Sequence, residues 1–185
     1  MRAAIFRNGE IVVDHLAGPK PNAGQVLVRT LACGICGSDL HARKHAHRMV
    51  EMAKFLPGRK PMDLSRDVVF GHEFCCEIVD HGPATARKFK PGTRVCSIPA
   101  LLTPQGPQGI GYSNDNIGAY AEQMLLSEAL LLEVPNGLSP QHAALTTVSI
   151  EKKWLNGWSA AATFEGEFSP ISTSYAGKGV VRYTW

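Results

Sequence analysis

The chain has 185 residues, a formal net charge of +3 and 44% hydrophobic residues. This length is typical of one globular domain, or of one domain with a short appendage, and it is long enough to bury a sizeable core. The mild charge argues against a nucleic-acid-binding protein, and no apolar run approaches the roughly 18 residues of a membrane span. The N-terminal residues resemble a strand and lack a signal-peptide core, so we expect a cytoplasmic protein without a membrane partner.

In chain order, the first 150 residues predict a β-rich fold. The Asn8-Gly9 pair is a strong hairpin signal, and the residues on either side of it have strand character. A turn at residues 89–93 leads into a further short strand. Many short strands separated by frequent turns are typical of a small barrel or sandwich. The other expected strands are residues 1–6, 10–14, 25–32, 68–70, 74–80, 120–126 and 129–134.

Helices are expected in one part of this region only. Ser38 or Asp39 is a candidate N-cap for a helix that continues past His41, and residues 48–55 also have helical spacing. Residues 56–67 and 101–116 have the proline, glycine and asparagine content of loops. The basic residues at positions 43–48 fit a solvated helix face better than a nucleic-acid contact.

The chain contains five cysteines, an odd number whose spacing does not resemble a disulfide framework. Cys33 and Cys36 form a CxxC pair, which alone is compatible with half of a zinc knuckle or with a redox pair. No second CxxC follows, and the βαβ context of a thioredoxin-type site is absent. The cysteines other than Cys36 are expected to be small buried hydrophobic residues, namely Cys33, Cys75, Cys76 and Cys96.

The most informative pattern is CGSDLH at residues 36–41, followed about thirty residues later by Gly71-His72-Glu73. A thiolate, an imidazole and a carboxylate are ligand types that hold a catalytic zinc and leave one coordination position free. In isolation, His72 and Glu73 would be interpreted as a core histidine and an ordinary strand carboxylate. With the upstream CGSDLH motif, we favour a metal site formed by Cys36, His72 and Glu73.

Five motifs in order resemble the N-terminal, GroES-like catalytic domain of the zinc-dependent medium-chain alcohol dehydrogenases. The resemblance covers roughly residues 1 to 147 and implies a mainly β fold, a GroES-like partly open β-barrel with short helices. The motifs that carry it are GICGSDLH at 34–41, GHE at 71–73, KPGTRV at 90–95, YAE at 120–122 and VPNGLS at 134–139.

The resemblance also implies roles for individual residues. Cys36 and His72 would be zinc ligands, and Glu73 would be the adjacent carboxylate that ligates the ion or exchanges with water. Ser38 would contact the alcohol oxygen, and His41 would be the outer end of a proton relay to solvent. Asp39 would orient the imidazole of His72 from behind. Leu56, Phe70 and the loop after Pro99 are candidate lining of a substrate pocket.

Three departures from the family pattern qualify these expectations. The family takes a third protein ligand from just past Leu138-Ser139, where residues 144–149 read ALTTVS. The four cysteines of a structural zinc site are missing after Cys96. We also expect no nucleotide-binding domain, because residues 175–181 contain only GKG and open no helix. NAD(P) is therefore expected only in full-length relatives.

The domain expectation is a catalytic domain at residues 1–150 and an unassigned, β-prone tail at residues 151–185 without a Rossmann domain. Residues 164–168 and 179–184 have strand character. A sequence break near residues 147–150, by fusion or frameshift, would explain the change in character. A short β appendage that packs on the barrel is the alternative.

Three functions are compatible with the sequence. The first is a zinc-binding portion of an oxidoreductase that interconverts alcohols with aldehydes or ketones in its family and is inactive alone. The second is a non-enzymatic metal-binding or interaction module on the same barrel. The third is a hydrolase in which zinc-bound water attacks the substrate and Glu73 acts as base. Apolar surface left open by a missing cofactor domain predicts self-association.

Overall fold

The structure is a computed structural model, and it describes residues 1–55, 60–144, 148–153, 158–168 and 173–183. The chain divides into two compact units, Met1–Ala144 and Leu145–Trp185. Within the described ranges, no helix is both long and apolar enough to span a bilayer. The first unit contains all the residues of the predicted metal site.

The first unit is built mainly of strands. Its elements are β1 (Arg2–Arg7), β2 (Glu10–His15), β3 (Gln25–Cys33), α1 (Gly37–Ala53), β4 (Val68–Val69), β5 (Phe74–His81), β6 (Arg94–Cys96), β7 (Ala100–Thr103), β8 (Gly106–Gly109), β9 (Gln123–Ser127), a 3₁₀ turn (Glu128–Leu130), β10 (Leu132–Glu133) and α2 (Pro140–Ala144).

These strands form sheets that do not close on themselves. A three-stranded sheet has the order β2-β1-β4, a five-stranded sheet has the order β10-β6-β5-β3-β9, and β7 and β8 form a separate hairpin. Every pair in these sheets is antiparallel. The expectation of a mainly β fold with a partly open barrel is therefore confirmed.

The core follows from the two-residue alternation of the strands. Residues whose side chains point to the same face of a strand recur at every second position, so a strand with one buried face alternates between apolar and polar residues. In β3, β5 and β9 the inward positions are apolar and almost fully buried. They are Val26, Val28, Cys76, Ile78, Met124 and Leu126.

The helix differs from the sequence-based expectation. Cys36, rather than Ser38 or Asp39, is the N-cap of α1, and the side chain of Asp39 accepts a hydrogen bond from the Cys36 backbone N–H at 3.1 Å. The carboxylate at the third helical position therefore completes a capping box from inside the helix. The two predicted helical stretches are one helix that is kinked at His45.

The region predicted as a loop at residues 101–116 contains the β7–β8 hairpin, whose paired residues include Thr103 and Gly106. Gly106 has φ +106°, a conformation that glycine adopts without steric cost. The proline and glycine content that indicated a loop is here the content of a tight turn between two short strands. Composition alone does not distinguish the two cases.

The second unit is an antiparallel sheet with the order β11-β12-β13. Its strands are β11 (Val148–Lys153), β12 (Trp158–Phe168) and β13 (Thr173–Tyr183). The two predicted strand regions fall largely within β12 and β13, and Thr184 lies outside the described residues. Strand β11 was not expected from the sequence.

Residues 118–120 lie directly against the backbone that leads into the GHE motif. Gly118 donates its N–H to the carbonyl of Val69, and Ala119 and Tyr120 donate theirs to the carbonyls of Gly71 and Phe70. A Cβ atom on Gly118 would overlap the carbonyl oxygens of Phe70 and Val69. The approach of these two backbones therefore requires glycine at position 118.

We expect Gly118→Ala to lower the free energy of unfolding by about 1–3 kcal/mol, because the added methyl group forces two paired backbones apart. Gly109→Ala is the matched control, since a Cβ there meets no atom within 4 Å. Its effect should stay within about 0.5 kcal/mol. Urea unfolding followed by circular dichroism measures both, and equal effects would contradict the crowding at Gly118.

Candidate metal centre

The register between β3 and β5 brings the two sequence motifs together. Cys33 at the end of β3 is paired with Phe74 at the start of β5, and the Gly34 N–H donates to the Glu73 carbonyl at 2.8 Å. Cys36 follows as the N-cap of α1, and His72 and Glu73 occupy the turn just before β5. Cys36 and His72, which are 36 positions apart in the chain, therefore meet at one end of the five-stranded sheet.

A glycine allows the turn that carries His72. Gly71 has φ +94°, and a Cβ at this position would lie 2.8 Å from the Tyr120 backbone nitrogen and 3.0 Å from the Cys33 sulfur. A side chain there would be strained by its backbone conformation and by its neighbours. The glycine of the GHE motif is thus required for the chain to pass between β3 and the 118–120 segment.

Three side chains converge in this corner. The Sγ of Cys36, a ring nitrogen of His72 and a carboxylate oxygen of Glu73 all lie within 4.8 Å of one another, and each residue is partly accessible to solvent. The structure therefore brings together the three residues that the sequence predicted as metal ligands. It also places Ser38 and Asp39 next to them.

A buried carboxylate lies behind His72. The Asp39 side chain is 3% exposed, and its Oδ1 lies 3.4 Å from Nδ1 of His72, which has no shorter polar contact. Tyr112 donates its hydroxyl hydrogen to Oδ1 at 2.7 Å, and Tyr120 donates to Oδ2 at 2.9 Å. With the Cys36 N–H, this carboxylate accepts three hydrogen bonds, and the imidazole of His72 lies beside it at an ion-pair distance.

These contacts shift the pKa of both partners. Burial alone would raise the pKa of Asp39, but the polar contacts with His72, Tyr112 and Tyr120 outweigh it and hold the pKa below its usual value. Burial would likewise lower the pKa of His72, but the nearby Asp39 carboxylate reverses this and raises it. The negative charge on Asp39 is therefore stable in the folded chain.

The number of hydroxyl hydrogens determines whether Ser38 donates or accepts in its contact with Tyr112. The Ser38 hydroxyl lies 2.9 Å from the Tyr112 hydroxyl and 3.4 Å from Nε2 of His72. Tyr112 has one hydroxyl hydrogen, and the shorter bond to the charged Asp39 takes it. Ser38 therefore donates its own hydrogen to the Tyr112 oxygen, and the lone pairs of Ser38 remain free to accept.

His41, the other predicted relay residue, lies apart from this network. Its side chain is exposed on α1, and its ring packs against the ring of His45 at a centroid separation of 4.7 Å. It lies three positions after Ser38 and therefore on the same side of the helix. The predicted lining residue Phe70 is fully buried and packs against Tyr112, whereas Leu56 lies outside the described residues.

Two residues of the site were missed in the sequence. Tyr120 was assigned to a strand, and Tyr112 lies in a stretch predicted as a loop, so neither was considered as a partner of Asp39. A tyrosine among glycines and asparagines is the only local signal for Tyr112. It is weak because it does not identify the acceptor of the hydroxyl group.

The three donor groups fit a zinc ion. Bonds of about 2.0–2.3 Å to one ion bring ligand atoms to within about 4 Å of one another, so small side-chain rotations suffice here. Because Nδ1 of His72 is the ring nitrogen nearer to Asp39, a neutral imidazole with its proton on that side would leave Nε2 to ligate the ion. In the stretch 144–149, where the family takes a further protein ligand, residues 145–147 lie outside the described residues.

The Asp39–His72 pair gives the metal-free chain a pH-dependent stability. The pKa of Asp39 is lower than its ordinary value of 3.8, so this carboxylate stabilises the folded chain above pH 3.8. The pKa of His72 is higher than its ordinary value of 6.5, so its protonation stabilises the folded chain below pH 6.5, and this stability is lost as the pH rises through the folded-state pKa. Asp39→Asn should therefore destabilise the chain more at about pH 5 than at about pH 8.5. Urea unfolding after metal removal measures this, and an equal loss at both pH values would contradict the pairing.

Known proteins that are similar to this chain are of the alcohol dehydrogenase type. The family model "Alcohol dehydrogenase GroES-like domain" matches residues 22–136. The (R,R)-butanediol dehydrogenase of Bacillus subtilis (strain 168) is 32% identical over an alignment of 162 residues, which covers 80% of this chain and 44% of that protein. The zinc-type alcohol dehydrogenase-like protein YphC of Escherichia coli (strain K12) is 31% identical over 164 residues, with the same two coverages.

A solved structure gives the same result. The putative zinc-binding dehydrogenase from Sinorhizobium meliloti 1021 bound to NADP matches with a TM-score of 0.57 and 28% identity, over 78% of this chain and 41% of that one. This chain therefore spans less than half the length of the relatives that it matches. The matched family model covers more than half of the 185 residues, and the chain belongs to the alcohol dehydrogenase GroES-like domain family.

Proposed function

We propose that this chain is the zinc-binding, catalytic-domain portion of an alcohol dehydrogenase-like oxidoreductase. The observation that carries the proposal is the convergence of Cys36, His72 and Glu73 in front of a buried Asp39 carboxylate. The names of two relatives support it, since one is a butanediol dehydrogenase and the other is described as zinc-type. The substrate class is then an alcohol and the corresponding aldehyde or ketone.

Each of the three residues would provide a different type of ligand to the ion. Cys36 would supply a soft thiolate, His72 an imidazole nitrogen and Glu73 a carboxylate oxygen, a donor set that suits Zn²⁺. Asp39 fixes the ring of His72, and Tyr112 and Tyr120 fix Asp39 in turn. A bound Zn²⁺ supplies a Lewis acid that polarises the oxygen of an alcohol or a carbonyl group.

Two residues of α1 provide a route for the proton of the alcohol to reach solvent. Because Ser38 donates its hydrogen to Tyr112, its oxygen is oriented to accept a hydrogen bond from a substrate hydroxyl. His41 lies one helical turn further on and is exposed, so its imidazole can exchange the proton with solvent. Asp39 stays ionised and acts on the site through His72.

Hydride transfer requires a nicotinamide cofactor in addition to the metal. We infer that these 185 residues hold the metal but do not bind NAD(P) and do not turn over an alcohol by themselves. The chain spans about 44% of the length of the curated relatives, and one solved relative is described as bound to NADP. The cofactor site of such relatives is then formed by residues that this chain does not match.

The first test is zinc content after purification and dialysis. We expect one zinc per chain in the wild type and less than about a tenth of this in Cys36→Ser, because the thiolate is lost. Cys96→Ser is the matched control, since Cys96 lies outside the converging group and should leave the zinc content unchanged. Equal zinc content in all three proteins, or none in any, would contradict the assignment.

Asp39→Asn sharpens this test. The amide removes the charge behind His72 but keeps its size, so the affinity for zinc should fall about 10–100-fold while the stoichiometry at saturation stays at one. Competition with a chromophoric chelator measures the affinity. An affinity equal to that of the wild type would show that Asp39 does not support the metal.

Cofactor binding is tested separately by the fluorescence of NADH and NADPH. We expect no enhancement with the zinc-loaded chain at concentrations up to about 1 mM, a range that covers typical KM values of enzymes. Saturable binding of either nucleotide would overturn the inference that the chain is inactive alone. Zinc binding without nucleotide binding supports both statements.

A further inference from the structure

Two imidazoles lie side by side on α1, outside the zinc site. His41 and His45 are four residues apart on the helix, and their ring centroids are 4.7 Å apart with an angle of 48° between the planes. The helix is kinked at His45, where φ is −131° and ψ is 31°. The ring contact is therefore an observed feature of the kinked helix rather than an extrapolation from ideal helix geometry.

The pair does not serve the packing of the helix. The buried positions of this stretch are Ala42 and Ala46, which contact the core, whereas His41 is exposed and His45 is half-buried. In the described part of the chain, no hydrogen bond or ion pair involves either ring. A neutral imidazole has one nitrogen with a free lone pair, so the two rings offer two possible ligand atoms in one area of the surface.

The chemistry of the pair selects its ligand. Two histidines at positions i and i+4 of a helix present their rings to one ion, as in helical zinc-binding motifs. Imidazole nitrogen suits Zn²⁺, Cu²⁺ and Ni²⁺, whereas Ca²⁺ and Mg²⁺ require oxygen ligands. Arg43, Lys44 and Arg48 are exposed on the same helix and repel all divalent cations, so an ion bound here needs strong coordination by nitrogen.

We propose that His41 and His45 form a second metal site, which chelates one borderline divalent ion such as Ni²⁺, Cu²⁺ or Zn²⁺. The two rings supply two nitrogens, and water completes the coordination of the ion. The site is independent of Cys36, His72 and Glu73, because it uses no residue of that group.

A metal ion bound at His41 and His45 would also affect catalysis, and this consequence rests on the proposed function. If His41 releases the substrate proton to solvent, an ion bound to its ring occupies the nitrogen that would carry the proton. The second site is then inhibitory in any longer protein that carries this domain with its cofactor. Zinc would support the reaction at the first site and suppress it at the second when its concentration is high.

Titration of the zinc-loaded chain with Ni²⁺, followed by calorimetry, tests the site. We expect one Ni²⁺ per chain, with an affinity reduced on the order of 10²-fold in His41→Ala and in His45→Ala, because each change leaves a single ligand. His47→Ala is the matched control on the same exposed helix and should change the affinity less than about twofold. Wild-type affinity in either of the first two variants, or no binding by the wild type, would overturn the proposal.

Cys36→Ser separates this proposal from the proposed function. The variant should keep the Ni²⁺ site at His41 and His45 even if it loses zinc from the first site. Loss of Ni²⁺ binding in Cys36→Ser would show that the ion enters the first site, and it would overturn the second. All three alanine substitutions favour helix, and circular dichroism confirms that each variant is folded.

Discussion

The candidate site depends on one buried negative charge. Asp39 is held ionised by the hydroxyl groups of Tyr112 and Tyr120, by the backbone of Cys36 and by the imidazole of His72. Burying a charged carboxylate without hydrogen-bond donors would destabilise the fold, so the positions of these donors are constrained by Asp39. The same residue therefore starts α1, fixes the thiol-bearing N-cap and orients the histidine.

The backbone supplies the second constraint. The β3–β5 register places Cys36 beside the His72 turn, and the 118–120 segment supports that turn through three backbone hydrogen bonds. Gly71 and Gly118 make this approach feasible because a Cβ at either position would meet backbone atoms. Gly71 and Gly118 thus set the position of the His72 side chain through the backbone.

Much of the first unit could be predicted from its sequence. The alternation of residues 25–32 identified one central strand, and the other, at residues 74–80, was expected directly after the GHE motif. Asn8-Gly9 identified the first hairpin, because such signals are local. The N-cap of α1 was wrong by two or more positions, since the choice among Cys36, Ser38 and Asp39 depends on where the Asp39 carboxylate points. The β7–β8 hairpin was missed because turn composition and loop composition are the same.

By itself, the sequence determined the family through the resemblance of five motifs in order, the mainly β fold through its strand and turn patterns, and the candidate ligands Cys36, His72 and Glu73 through their residue types. Only the tertiary structure decided that these three side chains converge, that Tyr112 and Tyr120 bind Asp39, and that His41 pairs with His45 across a kinked turn. The physical reason is that such contacts depend on strand register, side-chain direction and burial. None of these is encoded in the spacing of a short motif.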